Sequence, residues 1–201
     1  MNDTNVVVTG GSRGIGAAVA KRFAAEGARV TICSRTIDDL EAVAESIRAE
    51  GGAVSAVEAD VRNEDDLKRV METATEEAGG IEVLVANAGV YHGTPGQTPL
   101  RDEDYETFDD HVDINARGVF ATIREALPHL ASDARVLVPS GSVARKSKAG
   151  VGSYAVSKAA AEAIVRGFAA ELDQTVAVGD PGQVSTDLMK GATGRDPAEI
   201  G

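Results

Sequence analysis

Short apolar segments alternate with longer amphipathic segments along most of this chain. The apolar segments have the length and composition of strands buried on both faces of a sheet. They predict strands at residues 5–9, 29–34, 53–57, 83–86, 135–139 and 175–178. The amphipathic segments predict helices at residues 14–26, 37–50, 64–77, 102–130 and 153–173. Strands and helices that alternate in this way indicate βαβ units and a parallel sheet.

The length of 201 residues is enough for one domain with a sizeable core, and no shift in composition or long linker divides it. We therefore expect one domain over residues 1–201. Its fold class is α/β, a doubly wound parallel sheet of the Rossmann type with about six strands. Such sheets bind ligands at the carboxyl ends of their strands.

The net charge and the distribution of apolar residues limit the kinds of molecule that this protein can be expected to bind. A formal net charge of −12 argues against nucleic acid, whose phosphates the surface would repel. An acidic surface of this kind also suits a high-salt cytoplasm, which we keep as a hypothesis about a halophilic source. No apolar run is long enough to span a bilayer, so we expect a cytoplasmic protein without membrane contact.

Cysteine and histidine usage gives no sign of a metal. Cys33 is the only cysteine and lies in an apolar stretch, which predicts a buried structural thiol. The three histidines, His92, His111 and His129, lack the spacing of metal ligands. No metal site is predicted.

Glycines at positions 10, 11, 14 and 16 join the first predicted strand to the first predicted helix. Such glycines let the backbone turn tightly and approach a pyrophosphate, which the free amides of the helix start can bind. The spacing is G-x-x-x-G-x-G and does not match the general dinucleotide pattern G-x-G-x-x-G. Glycines here are also compatible with a plain tight turn, but their place after the first strand favours a phosphate site.

Tyr154 and Lys158 lie four residues apart in a predicted helix and therefore on one face of it. An ammonium at about 4 Å from a phenolate, with an effective dielectric constant near 20, contributes roughly 4 kcal/mol, or about three pKa units. This pairing would lower the pKa of Tyr154 and make the phenol a usable acid or base. Alone, the pair is more typical of an ordinary exposed helix.

Taken together and in order, these segments resemble the short-chain dehydrogenase/reductase family over essentially the whole chain. The matching segments are Thr9-Gly10-Gly11-Ser12-Arg13-Gly14-Ile15-Gly16, Asp60-Val61, Asn87-Ala88-Gly89, Asn115, Ser142, Tyr154-x-x-x-Lys158 and Pro181-Gly182-x-Val184-x-Thr186.

The resemblance implies a catalytic set. Tyr154 would exchange a proton with the substrate oxygen, while Ser142 would donate a hydrogen bond to that oxygen. Lys158 would lower the pKa of Tyr154 and bind the nicotinamide ribose, and Asn115 would hold a water in a proton relay. Asn115 could instead be a helix-interior polar residue bonded to the backbone. Ser140 is the alternative to Ser142, because the two lie two residues apart and would point the same way if the strand continued. Ser142 is favoured because it directly precedes Val143, although its gap to Tyr154 is twelve residues where thirteen is commoner.

The resemblance also implies a cofactor, and NADP(H) is favoured over NAD(H). Ser34 stands where relatives that prefer NAD carry Asp, and Arg35 and Arg13 could both bind a 2′-phosphate. Two solvated surface charges are the alternative. The residues expected at the cofactor are Gly10, Ser12, Arg13, Gly14, Ile15, Gly16, Ser34, Arg35, Asp60, Val61, Asn87, Ala88, Gly89, Tyr154, Lys158, Pro181, Gly182, Val184 and Thr186.

Departures from the family accompany these matches. Family members commonly continue for several dozen residues with a substrate-covering helix pair and a seventh strand, whereas this sequence stops at Gly201. We therefore expect the seventh strand to be missing and the sixth strand to form a sheet edge. Asp180 is unusual before Pro181. A homodimer through the two long helices after strands four and five is expected.

The function that the resemblance implies is hydride transfer between NADP(H) and a ketone, aldehyde or secondary alcohol. The substrate would lie between the loop 90–98, which offers Tyr91, His92 and Thr94, and the segment after Thr186. One alternative is a non-catalytic nucleotide-binding regulator or truncated remnant of the fold. Another is an epimerase or dehydratase of the same fold.

Overall fold

Within the described residues, the sheet is parallel throughout and holds six strands. The computed structural model describes residues 4–76, 79–146, 148–182, 184–186, 188 and 194–199. The strands are β1 (Asn5–Thr9), β2 (Arg29–Ser34), β3 (Ala53–Glu58), β4 (Ile81–Val85), β5 (Leu130–Pro139) and β6 (Thr175–Gly179). Their spatial order is β3-β2-β1-β4-β5-β6, and each neighbouring pair is parallel. The predicted doubly wound α/β sheet is confirmed.

In the part of the chain that the structure describes, six α-helices connect and cover these strands. They are α1 (Gly14–Ala25), α2 (Ile37–Ala49), α3 (Glu64–Thr75), α4 (Tyr105–Val112), α5 (Gly118–Ala126) and α6 (Gly152–Glu171). Helices α1 and α2 pack on one face of the sheet, and α3, α5 and α6 pack on the other.

The prediction of one helix over 102–130 was wrong in its extent. The structure begins α4 after Asp104, whose carboxylate caps the helix by accepting from the amide of Thr107 at 2.7 Å. A π turn at Asp113–Arg117 separates α4 from α5. A 3₁₀ turn that contains Pro128 then ends the helical segment, since proline supplies no amide hydrogen, and β5 starts at residue 130.

The two apolar layers of the core come from alternate strand residues. Val6 and Val8 point to the α1–α2 face, while Val7 points to the opposite face, as the twofold period of a strand requires. Cys33 is fully buried, and burial raises the pKa of its thiol to about 12. The predicted buried thiol is confirmed.

The last strand stands at the edge of the sheet. Among the described residues β6 pairs with β5 alone, from Arg135 opposite Thr175 to Pro139 opposite Gly179. The amide of Ser140 donates to the carbonyl oxygen of Gly179 and extends this pairing by one bond. The carboxyl ends of β1, β4, β5 and β6 therefore meet at one side of the sheet, where the predicted site residues follow them.

Candidate active site

A cavity of about 730 Å³ opens at the carboxyl ends of the strands. It has the size of a small-molecule or cofactor site. Every catalytic and cofactor residue predicted from the sequence lines this cavity except Gly16, which packs against Gly10 and Asn87. The fold thus brings the glycine turn, the ends of β2 to β6 and the start of α6 around one space.

The turn between β1 and α1 depends on glycine at three positions. Gly10 and Gly14 have φ values of 68° and 57°, which side chains disfavour. A Cβ atom on Gly16 would lie 2.2 Å from the carbonyl oxygen of Gly10 and 2.5 Å from Nδ2 of Asn87. Arg13 precedes the helix without capping it, so the first amides of α1 keep their capacity to bind an anion.

Basic side chains lie where β2 and β3 reach the cavity. Arg13 and Arg35 both line it, and neither forms an ion pair with the described residues. Arg62 binds the carboxylate of Asp60 at 2.6 Å and that of Asp110 at 3.0 Å. Burial opposes ionisation of Asp60, but the hydrogen bonds and charge of Arg62 outweigh it and lower the pKa of Asp60. Asp60 is therefore a fixed anion at neutral pH.

Tyr154 and Lys158 both line the cavity from α6, but the lysine bonds elsewhere. Lys158 Nζ donates to the carbonyl oxygen of Pro139 at 2.6 Å. Burial lowers the pKa of Lys158 to about 8, against the opposing effect of Glu162. Burial also raises the pKa of Tyr154 to about 12, and Tyr91 adds to this.

The expected lowering of the Tyr154 pKa is therefore not what the structure gives. Burial removes the phenolate from water, and Lys158, which is bonded to Pro139, does not offset this cost. The phenol of Tyr154 is therefore protonated at neutral pH. In this state it can donate a proton but cannot accept one.

Ser140 and Ser142 both line the cavity but differ in their surroundings. Ser140 is 8% exposed, and its buried Oγ has no hydrogen-bond partner among the described residues. Ser142 is exposed and begins a 3₁₀ turn, Ser142–Ala144. The strand has ended before Ser142, so the alternation that could have placed both side chains on one face does not apply.

Asn115 lies in the π turn and is bonded on both sides of its amide. Its Oδ1 accepts from the amide of Val90 at 2.8 Å. Its Nδ2 donates to the carbonyl oxygen of Val90 at 2.9 Å and to Oγ of Ser157 at 3.0 Å. The side chain thus links the segment after β4 to α6. This agrees with the alternative reading of Asn115 from the sequence, a helix-interior polar residue bonded to the backbone. Both amide protons are used, so the side chain cannot donate to a relay water.

The substrate end of the cavity differs from the expected one. Tyr91 is 6% exposed and packs edge-on against Tyr154, with ring centroids 4.8 Å apart, while its hydroxyl meets Oγ1 of Thr98 at 2.6 Å. His92 is exposed and bonds to Asp110. Neither these two residues nor Thr94 lines the cavity.

The residues that do line this end were not singled out as substrate contacts. They are Val90, Pro95, Val143, Lys148 and Leu188. Val90 and Pro95 belong to the loop 90–98, which the sequence analysis placed beside the substrate, and Val143 follows Ser142. The sequence therefore predicted the segments in which these three residues lie, although not the residues themselves. Nothing in the sequence pattern marked Lys148. Much of the segment after Thr186 lies outside the described residues.

The unusual Asp180 has a structural partner. Its Oδ2 pairs with the guanidinium of Arg145, and its Oδ1 accepts from the amide of Gly182 at 3.0 Å. Arg145 also approaches Glu162 of α6 at 3.4 Å. The ion pair joins the turn after β5 to the turn after β6, one on each side of the cavity.

The described part of the chain has neither a cluster of metal ligands nor a membrane-spanning helix. No group of three or more His, Cys, Asp or Glu side chains there could hold a metal ion. None of its helices has the length and apolar character needed to cross a membrane.

The chain is similar to known proteins over nearly its whole length. The family model described as short chain dehydrogenase matches residues 4–196. The short-chain dehydrogenase/reductase FrzI of Cladobotryum sp is 35% identical over 192 residues, which cover 93% of this chain and 73% of that protein. Glycine betaine reductase ATRR of Emericella nidulans is 35% identical over 188 residues, 91% of this chain but only 14% of that protein.

The fold of this chain is also similar to that of a solved structure. The short chain dehydrogenase from Burkholderia cenocepacia, in complex with NADP, superposes with a TM-score of 0.87 at 30% identity. The match covers 99% of this chain and 87% of that one.

Proposed function

The chain belongs to the short-chain dehydrogenase family, and on that basis we propose that it transfers hydride between NADP(H) and a ketone, aldehyde or secondary alcohol. One observation carries this proposal: a single cavity joins the glycine turn to Tyr154 and Lys158. A nucleotide held at the turn would place its far end at the phenol. The residues present fit a dinucleotide, because the turn has room only for glycine at position 16 and because Arg13 and Arg35 line the cavity without an ion pair to any described residue.

The side chains of α6 and the β5 exit supply the proton chemistry. Bound NADPH supplies the hydride, and the carbonyl oxygen of the substrate then gains negative charge. Tyr154 is protonated at neutral pH and donates its proton to that oxygen, while the hydroxyl of Ser142 donates a hydrogen bond to it. Lys158, with a pKa of about 8, is mostly charged at pH 7 and binds the ribose.

A proton relay from solvent would return the proton to Tyr154. Asn115 serves this relay only as a hydrogen-bond acceptor on its side chain, because both protons of its side-chain amide are already donated. The same residues run in reverse when an alcohol is oxidised.

The preference for NADPH rests on charge. Arg13 and Arg35 are available for a 2′-phosphate on a protein whose net charge is −12. The fixed carboxylate of Asp60 accepts a hydrogen bond from the adenine amino group, and Val61 packs against the ring.

A homodimer through α5 and α6 is part of the proposal. Phe120 is 41% exposed and stacks on Phe168 at 5.9 Å, and Val156 is 40% exposed. An apolar surface shared by two adjacent helices favours association with a second copy.

The test is oxidation of NADPH over a panel of ketones and aldehydes, with Tyr154→Phe as the matched variant. We expect the wild type to turn over at least one class of carbonyl compound. Tyr154→Phe should bind NADPH equally well and lose about 10²- to 10⁴-fold in kcat. A wild type that binds NADPH and reduces nothing would support the regulator instead. A Tyr154→Phe variant with most of its rate would mean that the proton comes from another group.

A further inference from the structure

A buried polar cluster lies directly behind Tyr154 and is not used by the proposed chemistry. It consists of Glu103, His111 and Ser153. The side chains of His111 and Glu103 are 1% and 6% exposed, and Ser153 is fully buried. Groups of this kind are costly to bury unless their hydrogen bonds are made.

The bonds of His111 define the state of its imidazole. Nε2 accepts the main-chain amide hydrogen of His92 at 3.0 Å, so this nitrogen carries no proton. The proton of the neutral ring is then on Nδ1, which donates to Oγ of Ser153 at 2.7 Å. Burial lowers the pKa of His111, in agreement with a neutral ring. The ring therefore makes one bond from each nitrogen, and the two bonds go to different segments.

The Nδ1 side of His111 faces the start of α6. Oε2 of Glu103 accepts from the amide of Ser153 at 2.8 Å, and Val151, at the N-cap position, provides no side-chain cap. A carboxylate here satisfies a free amide and interacts well with the positive end of the helix. Glu103 and His111 thus fix the residue that immediately precedes Tyr154.

The Nε2 side of His111 faces the loop 90–98. Its partner His92 lies between Tyr91, which packs on the Tyr154 ring, and Pro95, which lines the cavity. The imidazole also approaches the Tyr154 ring itself, with centroids 6.1 Å apart in an edge arrangement. One buried ring therefore contacts the proton donor and the wall of the substrate end.

We propose that His111 is a positioning residue whose two nitrogens hold different parts of the active site. Nδ1, through Ser153, holds the start of α6 and the Tyr154 ring in the geometry for proton transfer. Nε2, through His92, holds the loop that encloses the substrate. The proposal rests on the proposed function, because it expects the bond to Ser153 to affect kcat and the bond to His92 to affect KM in carbonyl reduction.

Two substitutions separate the two bonds. In His111→Asn, the side-chain amide can replace Nδ1 and keep the bond to Ser153, but it is too short to reach His92. In His111→Gln, the amide can replace Nε2 and accept from His92, but the bond to Ser153 is lost. His111→Phe removes both bonds and keeps a ring, and His129→Phe is the control, because His129 is bonded to Thr75 away from the cavity.

The expected result is a split between the two kinetic constants. His111→Gln should lose about tenfold in kcat with KM for the carbonyl substrate little changed, and His111→Asn should raise that KM about tenfold with kcat little changed, each corresponding to one hydrogen bond. His111→Phe should show both effects, and NADPH affinity should stay constant throughout. His129→Phe should resemble the wild type.

Equal effects of Asn and Gln on kcat and KM, or a lower Tm with unchanged kinetics, would overturn the proposal. If the wild type reduces no carbonyl compound, the proposed function fails, and a second measurement then decides the role of His111. Difference absorbance of tyrosinate, taken against Tyr154→Phe, reports the titration of the Tyr154 phenol without turnover. This titration should shift in His111→Gln and not in His111→Asn, and identical titrations in all variants would overturn the positioning role.

Discussion

Lys158 donates a 2.6 Å hydrogen bond to the carbonyl oxygen of Pro139, the last residue of β5. The bond holds a cation in a buried position at the end of a central strand. Burial lowers the pKa of Lys158 from 10.5 to about 8. The buried position of this lysine therefore has a cost in stability.

That cost should appear in the pH dependence of unfolding. Between pH 8 and 10.5 the unfolded chain binds more protons at this lysine than the folded chain, so its contribution to stability rises with pH over that interval. Relative to Lys158→Met, the wild type should gain about 3 kcal/mol in unfolding free energy between pH 7 and pH 10.5. Urea denaturation at several pH values measures the difference. Lys21→Met, at an exposed lysine of α1, should show no such trend. If the difference in unfolding free energy between the wild type and Lys158→Met did not change with pH, burial of Lys158 would have no cost in stability.

The hydroxyl that contacts the substrate oxygen can be identified by a pair of alanine variants. Ser142→Ala should lower kcat about tenfold or more, because one hydrogen bond to the developing charge is lost. Ser140→Ala should have a smaller effect on kcat. Steady-state kinetics with a saturating carbonyl substrate makes the comparison. The reverse order would transfer the role to Ser140, whose Oγ is buried without a partner among the described residues.

Cofactor preference should change at the end of β2. Arg35→Asp replaces a charge that attracts the 2′-phosphate with one that repels it. We expect KM for NADPH to rise about 10- to 100-fold, as the loss of a charged hydrogen bond implies, and KM for NADH to fall. Arg101→Asp is the matched control, since its side chain is 85% exposed and lies outside the cavity. Unchanged selectivity in Arg35→Asp would remove the argument for NADPH.

The glycine turn should not tolerate a methyl group at position 16. In Gly16→Ala the new Cβ would lie 2.2 Å from the carbonyl oxygen of Gly10, so the turn must move. Thermal unfolding with and without NADPH should show a lower Tm and little stabilisation by the nucleotide. Gly167→Ala in α6 meets nothing within 4 Å and should gain about 0.5–1 kcal/mol instead. Normal NADPH stabilisation of Gly16→Ala would mean that the turn does not bind the pyrophosphate.

Features that depend on local sequence were predicted well. The parallel sheet of about six strands follows from βαβ alternation. The glycines of the first turn are close neighbours in sequence, and so are Tyr154 and Lys158. The extent of the helix after β4 was wrong because apolar periodicity continues past the cap at Asp104 and up to Pro128.

Features that depend on distant contacts were missed. The pKa of Tyr154 was expected to fall because the Tyr154–Lys158 spacing can be seen in the sequence, whereas the burial of the phenol cannot. His111 was considered only as a metal ligand, since its partners His92 and Ser153 lie in other segments. The cytoplasmic location and the high-salt hypothesis stay predictions.

The buried Cys33 has a practical consequence for spectroscopy. A thiol with a pKa of about 12 and no exposed surface will not react with maleimides or other labels while the protein is folded. A variant with one introduced cysteine would therefore be labelled only at that new position, because Cys33 is the only natural cysteine. A fluorophore or spin label at Thr94, an exposed residue of the loop 90–98, would report the motion of that loop directly.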